Sequence, residues 1–494
     1  MSIRVFITII LTSLLCIAAA DAHAGKQKFV RVFADTADEI TAAFEAANAS
    51  GKPTLIKVAP GHYVFLGGFS SEEFGPSGLP YVRGTIVIEG EDAATTVFER
   101  ASGRYFTVLE GGQLYARNLT VTGGFVPCPS EDCSLNGGGA AANYGGLLSF
   151  ERCVLTGNSA HNQDGTDWIV GGGAIMNLAG KLRIDRSTLT GNQSIVRGGA
   201  ISVGGGTAII RRSIISDNDL RTGPFDFGAS FGGGIYVSSA KVVILDSTIS
   251  GNVLTDVSDE WFSSGGGIYN GGGTVWIQDS AITQNVALPI GQGGGIHNGG
   301  EMGIVNSTIG DNTAASAGGG IFNSGHLELQ GVTLAANEAQ GALLHGPGPC
   351  TSFCEQGGGG LWNGPNATAV IATSLIARNT GSPSGQDCFG VLLSKGHNAI
   401  GDLAGCVLQP SPEHHGGSLQ DLTSLDPLLG ELADNGDAGR AHFPLLANSP
   451  VIDAGGKVGK RCEKLDQLGH RRRDGDGDGK VRCDIGAIEF RLQN

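Results

Sequence analysis

The sequence predicts an all-β solenoid, in which the chain winds in stacked coils, and three observations predict it. A glycine-rich phrase recurs as GGGAIMN at 171–177, GGGIYN at 265–270, GGGIHN at 293–298 and GGGIFN at 318–323. A second phrase follows it, as STLTGN at 187–192, STISGN at 247–252 and STIGDN at 307–312. Apolar residues hold fixed places in both phrases. Such a recurring unit is typical of repeats that bury their apolar faces by stacking.

Composition supports an ordered chain. Glycine accounts for 83 of 494 residues without a strict three-residue period, which excludes collagen, and 40% hydrophobic content argues against disorder. We expect a signal peptide at 1–24, an N-terminal cap with the first coil at 25–79, repeated coils at 80–405 and a closing module at 406–494.

The first 24 residues have the features of a secretory signal. Arg4 precedes an apolar stretch at 5–20, and Ala22-His23-Ala24 has the small-residue pattern of a cleavage site. No later stretch is long and apolar enough to cross a membrane. We therefore expect a secreted protein, extracellular or associated with the cell surface.

The formal net charge is −15. Such a chain is a poor partner for nucleic acid or anionic membranes, because both are polyanions. It is compatible with calcium and with extracellular polysaccharides. We expect a monomer.

A helix is predicted at 36–51. Thr36 and Glu39 form a capping box, and Gly51 suits the C-terminal end. The spacing of four apolar residues predicts one buried face, which would cover the first coil: Ile40, Ala43, Phe44 and Ala47.

The coils align by the last Asn of the second phrase, at 158, 192, 218, 252, 285, 312, 337 and 379. Shorter intervals define the basic coil, and longer ones add loops. Two apolar columns flank the Ser of the phrase, five residues apart, so a bend must separate two inward-facing strands. The Asn column suits a turn, because Asn tolerates left-handed backbone and stacked amides can hydrogen-bond between coils.

Three motifs of a different kind occur near the C-terminus. They are NSPVIDAG at 448–455, DQLGHR at 466–471 and CDIGAIE at 483–489. The repeats resemble those of polymorphic outer-membrane-type proteins and of right-handed parallel β-helices of the pectin-lyase-like class. The C-terminal motifs resemble the choice-of-anchor module of secreted bacterial β-helix proteins. This resemblance covers about residues 25–494. It implies a parallel β-helix with an N-terminal capping helix and a C-terminal capping module, and it implies no particular reaction.

Nine cysteines remain after the expected signal peptide. Their spacing favours four local disulfides in an exported chain, with reduced thiols or a zinc site as the alternative. The predicted pairs are Cys128–Cys133, Cys350–Cys354, Cys388–Cys406 and Cys462–Cys483. Cys153 takes the Ser place of its repeat and is interpreted as a small buried wall residue.

The run DGDGDG at 474–479 resembles the start of a calcium loop, in which hard carboxylate oxygens converge on one ion. The expected ligands of a structural Ca²⁺ are Asp474, Asp476, Asp478 and Asp484. The alternative is an acidic turn neutralised by the arginines at 471–473.

The residue before the Ser forms another column, which reads Arg152, Arg186, Arg212, Asp246, Asp279 and Asn306. If the coils are in register, Arg212 contacts Asp246, and Asp246 and Asp279 lie about 5 Å apart. Arg212, Asp246 and Asp279 are therefore candidate catalytic residues for a lyase or a retaining glycoside hydrolase. The alternative is a charge ladder on a solvated wall.

Long loops between coils carry aromatic and acidic residues, and binding residues are often found on loops held by a rigid scaffold. The candidate sugar-binding residues are Trp168, Phe227, Trp261 and Phe262. The alternative is that these rings pack the loops onto the wall.

Three functions remain open at this point. The first is a non-catalytic protein that binds extracellular polysaccharide or other cell-surface material through the loops. The second is a polysaccharide lyase acting on uronans by calcium-assisted β-elimination, or a glycoside hydrolase. The third is a structural spacer.

Overall fold

The computed structural model describes residues 28–66, 68–71, 73–99, 103–126, 137–160, 171–221, 230–255, 263–341, 356–383, 385–413, 418–459 and 462–491. These residues form a parallel β-helix, as the sequence predicts. In each regular coil the chain passes through four strand columns, numbered here in the order in which the chain meets them.

Columns 1 and 2 belong to one 21-stranded parallel sheet and are separated by a short bend, which contains glycine in most coils. The strands of column 1 are Phe106–Leu109, Ile201–Val203, Ile235–Val237, Ile268–Asn270, Ile296–Asn298, Ile321–Asn323 and Leu361–Asn363. The strands of column 2 are Val30–Ala34, Thr54–Val58, Thr85–Glu89, Gln113–Arg117, Thr207–Arg211, Lys241–Leu245, Thr274–Gln278, Glu301–Val305, His326–Gln330, Thr368–Ala372 and Cys406–Pro410. Three longer strands run through both columns, and these are Ala141–Glu151, Ile175–Asp185 and Cys388–Ser394.

Column 3 is a 13-stranded sheet and column 4 a nine-stranded one. The strands of column 3 are Gly61–Val64, Thr96–Glu99, Thr120–Thr122, Val154–Thr156, Thr188–Thr190, Ile214–Ser216, Thr248–Ser250, Ala281–Thr283, Thr308–Gly310, Thr333–Ala335, Leu375–Ala377, Ala399–Ile400 and Leu422–Thr423. The strands of column 4 are Phe125–Val126, Ser159–Ala160, Gln193–Ser194, Asp219–Arg221, Val253–Thr255, Val286–Leu288, Thr313–Ala314, Glu338–Ala339 and Thr380–Gly381. A separate pair joins Ser230–Phe231 to Ser263–Ser264.

Both predicted apolar columns point inward and are at most 1% exposed. They line the core from columns 2 and 3, and their members are Phe150, Ile184, Ile210, Ile244, Ile277, Ile304, Leu329 and Ile371, then Leu155, Leu189, Ile215, Ile249, Ile282, Ile309, Leu334 and Ile376. The predicted bend between them is confirmed, because the residue before each Ser has a positive φ.

The N-terminal helix, α1, spans Ala37–Ser50 and confirms the prediction for this segment. Thr36 caps it by accepting the Glu39 backbone N–H at 3.2 Å, and Gly51 ends it at φ 62°. The predicted apolar face is buried and joins the core of the coils. Because this face contacts the first strands of column 2, α1 covers apolar residues that would otherwise meet water.

Of the two reasons expected for the recurring Asn of the second phrase, left-handed backbone is wrong and amide bonding between coils is right. The residue before each Asn takes the left-handed conformation, for example Gly251 at φ 61°, whereas the Asn is buried. Each Asn side chain donates from Nδ2 to the Oδ1 of the next Asn at 2.9–3.0 Å, from Asn158 to Asn379. The same Oδ1 accepts the backbone N–H of the preceding Asn. The expected coil-to-coil amide bonding is therefore confirmed.

The amide ladder ends at an aspartate. Asp387 Oδ1 accepts both the backbone N–H and the Nδ2 of Asn379 at 2.9 Å, and Asp387 Oδ2 accepts the Asp402 N–H at 2.7 Å. A carboxylate is suited to this place because it only accepts hydrogen bonds, so no buried donor is left beyond it.

After column 3 ends, the C-terminal segment folds back across the outward face of that column. The Gly439 N–H donates to Thr248 Oγ1 at 2.8 Å, Thr308 Oγ1 donates to Gln467 Oε1 at 2.6 Å, and the Ala487 N–H donates to Thr333 Oγ1 at 2.9 Å. Outward residues of column 3 are therefore buried at Thr248 and from Ala281 to Ala399, whereas Ser250 and those between Thr120 and Ser216 remain partly exposed.

A buried ion pair holds this segment together. Arg472 and Glu489, with side chains 0% and 2% exposed, lie 3.1 Å apart, and Arg472 also donates to Asn306 Oδ1 of the β-helix at 3.3 Å. Two of the predicted disulfides are present, Cys388–Cys406 and Cys462–Cys483. The pairs Cys128–Cys133 and Cys350–Cys354, like the predicted signal peptide, lie outside the described residues. Among the described residues, no helix has the length and apolar character needed to span a membrane.

Replacing Asn285 by Ala is expected to destabilise the protein by about 3–5 kcal/mol, because it leaves the backbone N–H and the Nδ2 of Asn252 without their acceptor in a dry interior. The denaturant midpoint, followed by circular dichroism, measures this change. Asn366→Ala removes an exposed amide and serves as the matched control. Equal midpoints for the two variants would show that the ladder adds nothing to stability.

Candidate functional site

The predicted loop residues Trp168, Phe227, Trp261 and Phe262 lie outside the described residues. Phe231, at the end of one such loop, is described. Its ring lies 4.4 Å from that of Tyr269 on the outer wall of column 1. Phe231 therefore agrees with the alternative in which such rings pack the loops onto the wall.

Tyr269 belongs to a stack of rings, one per coil, that runs along column 1. Neighbouring ring centres lie 4.3–6.1 Å apart, in the order Tyr236, Tyr269, His297, Phe322, Trp362 and Phe389. The ring faces contact one another, so inside the stack they are not available to a sugar. Burial lowers the pKa of His297 to about 3, which keeps its imidazole neutral and agrees with its interpretation as a wall residue.

The column before the Ser lies in the turn between columns 2 and 3. All its members are left-handed, from φ 52° at Arg152 through 48° at Arg186, 50° at Arg212, 47° at Asp246 and 49° at Asp279. Their backbone N–H groups bond to the next coil at 3.0–3.2 Å, so one residue per coil is stacked in register.

Left-handed backbone explains the Asp and Asn residues of this column but not its arginines. Short polar side chains tolerate this conformation, whereas a residue such as Arg is strained by roughly 1–2 kcal/mol. Three successive coils carry that strain at Arg152, Arg186 and Arg212. The turn imposes a positive φ on this position in every coil, so the fold requires the conformation but does not require an arginine in it. Strained residues of this kind are often found at functional sites.

The strained arginines are part of a larger group, which we call the arginine edge. Arg117 and Arg152 contact Glu151 at 3.2 and 3.1 Å. The other contacts converge on Asp185, which lies 3.0 Å from Arg186, 3.0 Å from Arg211 and 2.9 Å from Arg212. Arg212 thus reaches back to Asp185, and no ion pair within the described part of the chain joins it to Asp246. The expected contact between Arg212 and Asp246 is wrong, because the Asp185 carboxylate can accept several of the guanidinium N–H groups of Arg212.

The arginine edge carries more positive than negative charge. Five guanidinium groups face two carboxylates, which leaves an excess of three positive charges on a chain whose net charge is −15. The arginine side chains are 36–52% exposed, whereas Glu151 and Asp185 are 28% and 19% exposed. The guanidinium groups therefore retain N–H donors that face solvent.

Next to the arginine edge lies the uncovered part of column 3, which we call the threonine wall. Its outward residues are partly exposed and rich in hydroxyl groups, and they are Thr120, Thr122, Val154, Thr156, Thr188, Thr190, Ile214 and Ser216. The C-terminal segment bounds this surface at Thr248. The result is a shallow, hydroxyl-rich strip flanked along one side by cations.

Asp246 and Asp279 occupy the next two places of the column, beside the C-terminal segment. Gly439 approaches them so closely that a Cβ there would lie 2.6 Å from the Asp279 carbonyl oxygen. Burial is the main cause that raises the pKa of Asp279 to about 6, opposed by hydrogen bonds from Gln278 and Asn306. The three candidate catalytic residues are therefore split between the arginine edge and the docking contact of the C-terminal segment.

The predicted calcium ligands are only partly brought together. Asp474 and Asp476 share a cluster with Asp453, in which one ligand oxygen from each lies within 4.8 Å of the others. Asp478 instead contacts Arg482 at 3.3 Å and Lys480 at 3.5 Å. A backbone hydrogen bond from Lys480 is the main cause that lowers the Asp478 pKa.

Asp484 is fully buried and also lies outside the cluster. Its Oδ1 accepts the Asp453 backbone N–H at 2.7 Å, and its Oδ2 accepts that of Phe490. Burial raises its pKa to about 7. Backbone donors thus occupy both oxygens of Asp484. Its bond to the Asp453 N–H holds Asp453 in position.

Sequence reasoning missed Asp453, Asp185 and the arginines of column 2. Asp453 stands in the NSPVIDAG motif, far in sequence from the acidic run. Arg117 and Arg211 end their strands one residue before the aligned column and were not compared with one another. Aligning that position across coils could have found them.

Replacing Asp279 by Asn is expected to stabilise the protein at about pH 8 and not at about pH 4. The raised folded-state pKa means that stability is greatest below the unfolded pKa of about 4 and falls as pH rises through 6. Asn removes the buried charge and suits left-handed backbone, as at Asn306. The expected gain is about 1–3 kcal/mol, measured from urea midpoints against pH.

Asp217→Asn is the matched control, since Asp217 is also left-handed and is exposed. A gain at Asp279 that is the same at both pH values would contradict the role of the buried charge.

Comparisons with known proteins give little beyond these observations. No protein-family model and no curated protein matches the chain. Among solved structures, it is similar to the A-module of the Azotobacter vinelandii mannuronan C-5 epimerase AlgE4, with 10% identity, a TM-score of 0.35, and coverage of 81% of this chain and 96% of that one. For the AlgE6 A-module of the same organism, the values are 12%, 0.29, 81% and 94%. We carry no substrate and no residue role over from alignments at this level.

Proposed function

We propose that this protein binds an anionic extracellular polysaccharide along the arginine edge and the adjoining threonine wall, without chemical conversion. The observation that carries the proposal is the row of strained, exposed arginines on successive coils. Its members bond to Glu151 and Asp185, but they outnumber these carboxylates.

The repeat of the fold supports a linear polymer as the ligand. Coils stack at about 4.8 Å, so the arginine edge offers a regular line of guanidinium donors parallel to the helix axis. Guanidinium groups bind carboxylates and similar anions by charge-assisted, often bidentate hydrogen bonds. A chain that carries an acidic group on each sugar can satisfy several coils at once.

The threonine wall supports a carbohydrate rather than another polyanion. Its outward hydroxyl groups can donate to and accept from sugar hydroxyls. Aromatic residues, on which nucleic-acid bases commonly stack, do not occur among the residues that define this wall.

The loop aromatics Trp168, Phe227, Trp261 and Phe262 remain candidates for a second contact. In the sequence these residues follow strands of column 4, whereas the arginine edge belongs to the turn between columns 2 and 3. A single polymer strand along the arginine edge does not require them.

We assign calcium no part in this binding.

Replacing Arg152, Arg186 and Arg212 together by Asn is expected to raise the Kd for a polyuronate at least about tenfold, which corresponds to a loss of about 1.4 kcal/mol. Stability should be unchanged or higher, because Asn tolerates the left-handed backbone better than Arg. Isothermal titration with polygalacturonate measures binding, with a neutral glucan and a single-stranded polynucleotide as other ligands.

The matched control removes the same charge from exposed positions near the N-terminus, as Arg31→Gln, Lys52→Gln and Arg83→Gln. Wild-type binding should weaken with salt, since the screening length falls from about 10 Å at 0.1 M to about 3 Å at 1 M. Equal losses in the two triple variants, or tighter binding of the polynucleotide, would count against the proposal.

Incubation with uronan polysaccharides and calcium is expected to give no ultraviolet absorbance from unsaturated products. The reason is that Arg212 bonds to Asp185, while Asp279 lies against Gly439. Unsaturated products that disappear in the Asp279→Asn variant would support the lyase alternative instead.

A further inference from the structure

We propose that Asp453, Asp474 and Asp476 bind one divalent cation of the calcium type, which fastens the 474–480 loop to the rest of the C-terminal segment. This ligand set differs from the one expected from sequence. Asp453 enters it, whereas Asp478 and Asp484 leave it.

The position of Asp453 is the first argument. Its Oδ2 accepts the backbone N–H groups of Gly475 and Asp476, both at 2.7 Å, so its carboxylate faces the acidic loop. The loop lies so close that a Cβ at Gly475 would come within 2.8 Å of Ile452 and 3.3 Å of Asp453 Oδ2. A larger residue at 475 would therefore force the Ile452 side chain to move.

The second argument is a buried oxygen without a partner. Asp453 is 4% exposed, and its Oδ1 accepts no hydrogen bond from any described residue. Buried polar atoms are rarely left in this state, and an unrecorded ion is one ordinary explanation. A cation held between Asp453 and the two loop carboxylates would satisfy this oxygen.

The third argument is the absence of a basic neighbour that could replace the ion. No Lys, Arg or His among the described residues lies within ion-pair distance of Asp453, Asp474 or Asp476. The acidic-turn alternative relies on the arginines at 471–473, and of these Arg472 is bonded to Glu489 and Asn306. Lys480 and Arg482 contact Asp478.

The chemistry of the donors favours calcium over softer metals. All three ligands are carboxylates, and hard cations prefer oxygen. Asp474 already accepts the Gly477 and Gly479 N–H groups at 2.7 and 2.8 Å, which shapes the loop around it. Water and backbone carbonyls would complete the coordination, as calcium commonly permits.

The test is equilibrium dialysis of the full chain, stripped with chelator, against radioactive calcium chloride. We expect one site with a Kd in the range of about 10⁻⁴–10⁻³ M, as in extracellular modules, and a higher melting temperature with calcium. Asp476→Asn, at an exposed position, should weaken binding at least about tenfold. Asp453→Asn should do the same, and if it does not fold, Asp476→Asn still decides.

Asp478→Asn is the matched control in the same loop and should bind calcium as the wild type does. No saturable site at several times this concentration would overturn the proposal. So would equal losses in Asp478→Asn and Asp476→Asn, which would indicate the ligand set expected from sequence. Full affinity in a folded Asp453→Asn variant would also overturn it.

Discussion

The register of coil on coil is the constraint on which the rest of the structure depends. The buried amide ladder from Asn158 to Asn379 sets it, because each Oδ1 accepts two donors from the coil before. A coil displaced by one residue would leave several buried donors unpaired, which is costly in a dry interior. The coils differ in length mainly between columns 4 and 1, and by one or two residues at the bend between columns 1 and 2, while the strands of columns 2 and 3 stay in register.

Because the coils are in register, residues at the same position of successive coils form a line along the surface. The turn between columns 2 and 3 places one left-handed residue per coil at the same corner. Where this residue is Asp or Asn, local backbone preference is a sufficient reason for it. Where it is Arg, the backbone is strained, and the side chain adds positive charge at the surface. The arginine edge thus depends on the same stacking that builds the core, but the core does not require it.

The C-terminal segment divides the outer surface in two. It covers column 3 from Thr248 onward and leaves the threonine wall open before it. Gln467 and Glu489 of these motifs act in this docking together with Arg472. Gln467 bonds to Thr308, and Arg472 bonds to Asn306 and forms the buried ion pair with Glu489. The open strip and the acidic cluster around Asp453 therefore belong to different parts of the molecule, and the two proposals made for them are independent.

The sequence by itself determined the coils, the inward columns, α1 and the bend before each Ser. Each of these follows from short-range periodicity, because a β-helix repeats the same local environment in every coil. The tertiary structure decided which charges meet. Arg212 bonds to Asp185 rather than Asp246, and Asp453 rather than Asp484 faces the acidic loop. Side-chain direction and the docking of the C-terminal segment fix these contacts. Both depend on distances between residues far apart in sequence, which no local pattern records.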